Sequence, residues 1–263
     1  MKFWPVLTVL LILVAATALA QARDSIPPFK AVADGLEYRQ VILQRPRPLT
    51  ILQLRCDPER VRFNLLLASD LKGKQEVSTA RAVAEALGQT AVVNSSYFGH
   101  QNEILGYTER LGHVLNPKVA TGGVFSAFFY WDEGRAGFKR RGEALPKTAP
   151  VLFQAGPRLV WDGVAVEGLD ATAPANRTVL SQDAEGRITI VAIGGLSVTT
   201  LAELPRLLLR LVDRGGVASV RALNLDGGSS TQFYLGAGET EAHLPGFASV
   251  PVFLGVEPRS LSE

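Results

Sequence analysis

The chain has 263 residues, 47% hydrophobic and 20% charged, with 27 Lys plus Arg against 25 Asp plus Glu. Such a balance excludes a mostly disordered chain. A net charge of +2, with no basic run longer than Lys139-Arg140-Arg141, argues against a protein that works by neutralising nucleic-acid phosphates. A single cysteine rules out an internal disulfide, and a chain this long buries enough surface to need none.

In chain order, Lys2 precedes an apolar run from Val6 to Ala20 that ends in the small-residue pattern Ala18-Leu19-Ala20. This reads as an export signal over residues 1–22, too short for a permanent membrane span. The expected location is the periplasm or the outside of the cell, with no stable membrane span once the signal is cleaved. Residues 23–36 read as a polar lead-in and 37–263 as one domain.

Strands are expected at 37–44, 49–56 and 61–68, punctuated by Arg45-Pro46, Asp57-Pro58 and Ser69-Asp70. In the third, Arg62, Asn64 and Leu66 alternate with Val61, Phe63, Leu65 and Leu67, which predicts one partly wet face. A helix follows at 78–87, capped by Ser78 and ended by Gly88. Further strands are predicted at 90–94, 122–131, 150–155, 158–161 and, as a hairpin, 177–183 with 187–193. A second helix spans 199–214, with Thr200 and Glu203 as a capping box. Pro205 requires that helix either to kink or to begin at the proline, and Gly215-Gly216 ends it. Strands at 218–225, 231–235 and 249–256 complete an α+β fold: a curved mixed or antiparallel sheet packed on two main helices. Cys56 is expected to be buried in its strand and inert.

Four segments carry potential chemistry. Ala222-Leu223-Asn224-Leu225-Asp226 runs as an apolar strand into an acid, followed by Gly227-Gly228-Ser229-Ser230-Thr231. The glycines permit a tight turn and close ligand approach, the hydroxyls offer donors, and a strand end fixes a carboxylate rigidly. A plain Asp-Gly hairpin turn is the simpler alternative, but it does not require the hydroxyl run. Asn94 ends a strand ahead of Ser95-Ser96-Tyr97. Gln154 ends another ahead of Gly156-Pro157. Arg177, after Asn176, presents the planar fork that suits phosphate or carboxylate. For each of these three a structural role stands beside the ligand-binding one. No His-x-x-x-His, cysteine pair, calcium loop, serine-hydrolase elbow or nucleotide-binding fingerprint occurs. No cofactor and no metal are expected, although Asn224, Asp226 and Glu103 have the oxygens a divalent ion would use.

Taken together and in this order, Asn94-Ser95-Ser96-Tyr97-Phe98, Gln154-Ala155-Gly156-Pro157, Arg177-Thr178 and Asn224-Leu225-Asp226-Gly227-Gly228-Ser229-Ser230 resemble the phosphodiester glycosidase family. The resemblance covers about residues 90–235. It departs in having Ser95-Ser96 where glycine or alanine is expected, and two glycines rather than three after Asp226. It implies a carbohydrate or phosphoglycan substrate and hydrolysis of a sugar-1-phosphodiester in an envelope or extracellular glycan. Asp226 would serve as general base or nucleophile, with Glu103 the nearest candidate for the second carboxylate that glycosidases commonly use. Arg177 and residues 227–231, with Gly227, Gly228, Ser229, Ser230 and Thr231 each contributing, would hold the phosphate. Asn94, Gln154 and Asn224 would position substrate. The alternative is a glycan-binding or polysaccharide-assembly protein on the same scaffold, without catalysis.

Overall fold

The computed structural model describes residues 24–44, 46–71, 79–212 and 219–259. The expected signal (residues 1–22), Ser78 and Gly215-Gly216 lie outside the described residues. Among the described residues there are three sheets, and every strand pair in them is antiparallel, so the expected single sheet is divided and the antiparallel alternative holds over the mixed one. Among the described residues strand accounts for 45% and helix for 10%, a stronger sheet bias than two packed helices would suggest.

The largest sheet has eight strands, in the order Lys30–Ala33, Leu36–Leu43, Leu49–Cys56, Ile188–Ile193, Arg177–Gln182, Arg221–Asn224, Arg158–Trp161 and Val164–Ala165. A five-stranded sheet runs Thr240–Leu244, Phe233–Ala237, Ala91–Asn94, Val252–Pro258 and Val61–Leu67. The other five-stranded sheet runs His113–Asn116, Thr108–Arg110, Val151–Ala155, Ala127–Asp132 and Arg135–Arg140. One apolar core is shared by all three: Leu54, Phe63, Phe129, Phe153, Leu223 and Phe233 meet in it. Strand alternation sends the opposite faces outward to separate small cores.

Two helices cover two of those outer faces. Helix α1 (Ala80–Leu87) lays Ala80, Val83 and Ala84 over Leu66, Val92 and Phe253. Leu66 therefore leaves the predicted wet face. Thr79 is the N-cap, accepting from Ala82 N at 3.2 Å, and Gly88 closes the helix at φ +69°. Helix α2 (Leu204–Val212) packs Leu204, Leu207, Leu208 and Leu211 on the large sheet. The capping box is present: Thr200 N donates to Glu203 Oε2 (2.8 Å) and Glu203 N to Thr200 Oγ1 (3.3 Å). Pro205 sits in the first turn, where its missing N–H costs nothing.

Lys30–Ala33, inside the expected lead-in, is an edge strand turned back at Asp34-Gly35, with Gly35 at φ +69°. Cys56 is fully buried, and burial pushes its thiol far above the usual range. Among the described residues no helix is long and apolar enough to cross a membrane.

Candidate active site

An interior strand of each sheet ends in, or just short of, a buried amide. Asn94 closes Ala91–Asn94, Asn224 closes Arg221–Asn224, and Gln154 is the penultimate residue of Val151–Ala155. Asn94 ties segments together. Its Nδ2 donates to Asp226 O (2.8 Å), while its Oδ1 accepts from Thr178 Oγ1 (2.7 Å) and Gln232 N (3.2 Å). Asp226 N in turn donates to Ser95 O at 3.2 Å. The Asn94 and Asp226 strand ends are thus locked side by side across two sheets.

Gln154 is fully occupied by backbone. Oε1 accepts from Tyr107 N (3.2 Å) and Ala120 N (2.8 Å), and Nε2 donates to Ala120 O (2.8 Å) and Phe125 O (2.9 Å). It anchors the 117–126 loop and has no hydrogen bond left for a ligand. Asn224 differs. Its Nδ2 faces Tyr97 Oη (3.0 Å), Gly156 O (3.3 Å) and the carbonyl of Leu225. Its Oδ1 is buried without any partner.

Asp226 is half-buried at the head of the glycine loop. Gly227 N donates to its Oδ1 at 2.9 Å, and the Ser230 hydroxyl also donates to the carboxylate. Burial pushes the carboxyl above its ordinary value, and these two hydrogen bonds only partly oppose that. A side chain at Gly227 would place its Cβ 2.9 Å from Asn176 O, so the backbone there requires glycine. Gly228 stands at φ +63° with its N–H on Asn176 O (2.9 Å).

This loop corrects one expectation. The N–H groups of 227, 228, 230 and 231 already serve Asp226 Oδ1, Asn176 O, Gly227 O and Gly228 O. They form no open anion cradle. The unspent polar atoms lie elsewhere: Ser95 Oγ, Ser96 Oγ and Thr231 Oγ1 are buried without partners, as is Asn224 Oδ1. All four belong to the segments around Asp226.

Arg177 approaches from the large sheet. Nε donates to Thr199 O (3.0 Å) and Nη2 to Ala173 O (2.6 Å). Nη1 lies 3.9 Å from where a Gly227 Cβ would sit. Burial lowers the guanidinium pKa, with Tyr97 and Asp170 acting the other way. The group stays charged at neutral pH. Tyr97 completes the set. Its hydroxyl donates to Gly156 O at 2.6 Å, and its ring meets Phe125 edge-on at 5.3 Å. Burial raises the phenol pKa far above its usual value. Asn224 opposes that rise, Asp226 adds to it and Arg177 opposes it. Tyr97 therefore couples electrostatically to both charged groups.

The structure brings Asn94, Asn224, Asp226, Gly227, Gly228, Ser230, Thr231 and Arg177 together. Ser229 is exposed on the loop, its carbonyl accepting from Phe247 N and Ala248 N. Glu103 is not drawn in: it is exposed, its Oε2 accepts from Gln101 N (2.9 Å), and the carboxylate lies against Gly99. Tyr97, Thr178, Ser95 and Ser96 lie within the motifs, and the sequence assigns none of them a role of its own. The one local signal for Tyr97 is its place three residues past a strand-ending Asn.

The fold and site define a sheet-built protein whose strand ends converge on the half-buried carboxylate of Asp226 and on Arg177. Residues 87–257 match the phosphodiester glycosidase family, and the chain belongs to that family. No curated protein sequence matches it. Among solved structures it is similar to a hypothetical protein from Synechocystis, with TM-score 0.65 and 17% identity over 91% of this chain and 65% of that one. It therefore spans only about two thirds of that protein's length. It is also similar to the catalytic domain of zebrafish N-acetylglucosamine-1-phosphodiester alpha-N-acetylglucosaminidase, auto-inhibited by its pro-peptide. There the TM-score is 0.63 and the identity 14%, over 90% of this chain and 88% of that one. A Burkholderia pseudomallei protein inferred to be exported matches with TM-score 0.54 and 14% identity, over 80% and 74% of the two chains. At these identities the likeness is one of fold.

Proposed function

We propose that this chain is an exported hydrolase that cleaves a sugar-1-phosphodiester between the anomeric carbon and the phosphate oxygen. Water supplies the hydroxyl of the released sugar, and the phosphate leaves as a monoester. The observation that carries the reading is the half-buried Asp226, its pKa raised, beside Arg177 and a set of unpartnered buried hydroxyls. A carboxyl shifted towards neutrality is suited to moving protons. Asp226 acts as general base or nucleophile at the anomeric carbon. Arg177 Nη1 takes a phosphate oxygen, since a leaving phosphomonoester needs charge stabilisation more than protonation. Ser95, Ser96, Thr231 and Asn224 Oδ1 supply the hydrogen bonds that orient sugar hydroxyls. Asn94 and Gln154 hold the strand ends and the 117–126 loop in place. The expected signal over residues 1–22 supports an envelope or extracellular glycan as substrate.

One observation favours a second reading, a phosphoglycan-binding protein without turnover. The groups acting on Asp226 are Ser230 and Gly227, not a second carboxylate. An assay of the purified protein on sugar-1-phosphodiesters, with and without chelator and beside Asp226→Asn, separates the two. Release of sugar and phosphomonoester, lost in Asp226→Asn, is the expected result. Saturable binding of the diester with no release would transfer the site to the binding class.

A further inference from the structure

Beyond Arg177, a second set of cations adjoins the site. Three guanidinium carbons surround the ring of Trp161: Arg140 at 5.2 Å, Arg158 at 5.3 Å and Arg221 at 5.1 Å from its centroid. Three like charges on one indole repel one another. Their acidic compensation is thin. Asp162, 61% exposed, reaches Arg140 Nη2 at 3.3 Å and Arg221 Nη2 at 3.6 Å. Arg221 Nη1 donates to Phe138 O at 3.1 Å. Arg158 has no ion pair among the described residues. Burial lowers its pKa first and neighbouring Arg140 lowers it further, with Glu143 acting the other way and Arg141 adding to the fall.

The decisive feature is a pair of donors. Arg158 Nε and Arg221 Nε are both buried with no acceptor. Buried charged N–H groups are normally matched by an acceptor, so two of them on the same Trp161 ring, in a locus of excess positive charge, point to an anion as their partner. The place is informative as well. Arg158 follows Gly156-Pro157, and Gly156 O accepts from Tyr97 and Asn224. Arg158 is the register partner of Leu223, next to Asn224. The cluster therefore begins within two residues of the candidate active site; Arg158, Trp161 and Arg221 run away from it along one pair of strands, and Arg140 joins them from the end of Arg135–Arg140 in another sheet.

We infer that Arg140, Arg158 and Arg221, gathered on Trp161, form an anion subsite that takes a phosphate group. Planar guanidinium forks suit its oxygens, and the Trp161 ring holds the forks in place by cation–π contact. That this phosphate is one carried by the substrate, beyond the scissile diester, rests on the reading under Proposed function. The binding itself does not.

The test titrates inorganic phosphate into the full chain at constant ionic strength, by calorimetry and thermal unfolding. Binding is expected to persist in Arg177→Gln and to weaken about tenfold in Arg158→Gln and in Arg221→Gln, the scale of a lost charge-assisted hydrogen bond. Asp162→Asn, an exposed substitution, is expected to tighten it by removing a competing carboxylate. No phosphate binding in the Arg177→Gln protein, or equal affinity across the Arg158, Arg221 and Asp162 variants, would overturn the subsite. A second arm compares KM for mono- and diphosphorylated sugar diesters. Arg158→Gln should raise KM for the diphosphorylated substrate alone. An unchanged KM for both would detach the subsite from the substrate while leaving the phosphate titration to stand by itself.

Discussion

Gln154 and Asn224 are both buried amides at or near strand ends, and both flank the same Gly156-Pro157 turn. One is saturated: four hydrogen bonds, all to backbone. The other crowds its nitrogen with three neighbours and leaves its oxygen with none. Position along the strand is therefore no guide to role. What separates a brace from a ligand-facing group is whether the protein has already used its hydrogen bonds. The same contrast divides Thr178, which donates to Asn94 Oδ1, from Thr231, whose hydroxyl is buried and unpartnered.

Substitutions can break that contrast. The largest effect is expected at Asp226. Asp226→Asn should lower turnover about 10³-fold, in the range of a lost acid–base group, measured by initial rates on a sugar-1-phosphodiester. It should also stabilise the fold at neutral pH. Because the folded-state pKa lies above the ordinary value of 3.8, the native protein binds the proton more tightly than the unfolded chain. Stability therefore falls as pH rises from 3.8 through the folded pKa. The Tm advantage of Asp226→Asn should be full above that window and vanish below it.

Gln154→Ala comes next, and on stability. It leaves the N–H groups of Tyr107 and Ala120 and the Ala120 carbonyl without partners, while Phe125 O keeps Arg141 Nη1, which should cost about 3 kcal/mol in denaturant unfolding. Asn224→Ala should cost less stability and more activity. The sharper pair is Thr178→Val and Thr231→Val. The first removes a hydrogen bond and should cost about 1–2 kcal/mol. The second removes an orphaned hydroxyl and should be neutral or stabilising to within about 1 kcal/mol, while lowering turnover. Equal stability losses in the two would remove the distinction. The smallest effect is expected at Glu103→Gln. Its carboxylate is exposed and turned onto its own loop, so turnover should change by less than about threefold, a surface-scale effect.

Much of this arrangement is legible in the sequence because it depends on local signals. Apolar runs ending at Asn94 and Asn224 read correctly as strands, and the Thr200–Glu203 box forms as its spacing predicts, in the turn just ahead of a helix that begins at Leu204 beside Pro205 and not at 199. The strands not anticipated are largely edges. His113–Asn116, Arg135–Arg140 and Thr240–Leu244 each border a sheet, face water, and so lack the apolar alternation that marks a strand. Lys30–Ala33 is another, betrayed only by its Asp34-Gly35 turn. The division into three sheets is equally hidden, since it depends on which strands pair across more than a hundred residues. The site behaves the same way. Asp226, its glycines and Arg177 stand out by type and spacing. The saturation of Gln154, the Gly228 N–H spent on Asn176 O and the coupling of Tyr97 to Asp226 and Arg177 depend on partners brought in from about 30 to 130 residues away. Local pattern carries no record of those.

The central claim is that the Asp226 site breaks the bond at the sugar carbon, not at phosphorus. Hydrolysis of a sugar-1-phosphodiester in ¹⁸O-labelled water tests it most directly. The label should appear at the anomeric hydroxyl of the released sugar, with the phosphomonoester unlabelled. Label in the phosphomonoester would mean attack at phosphorus and would contradict the account.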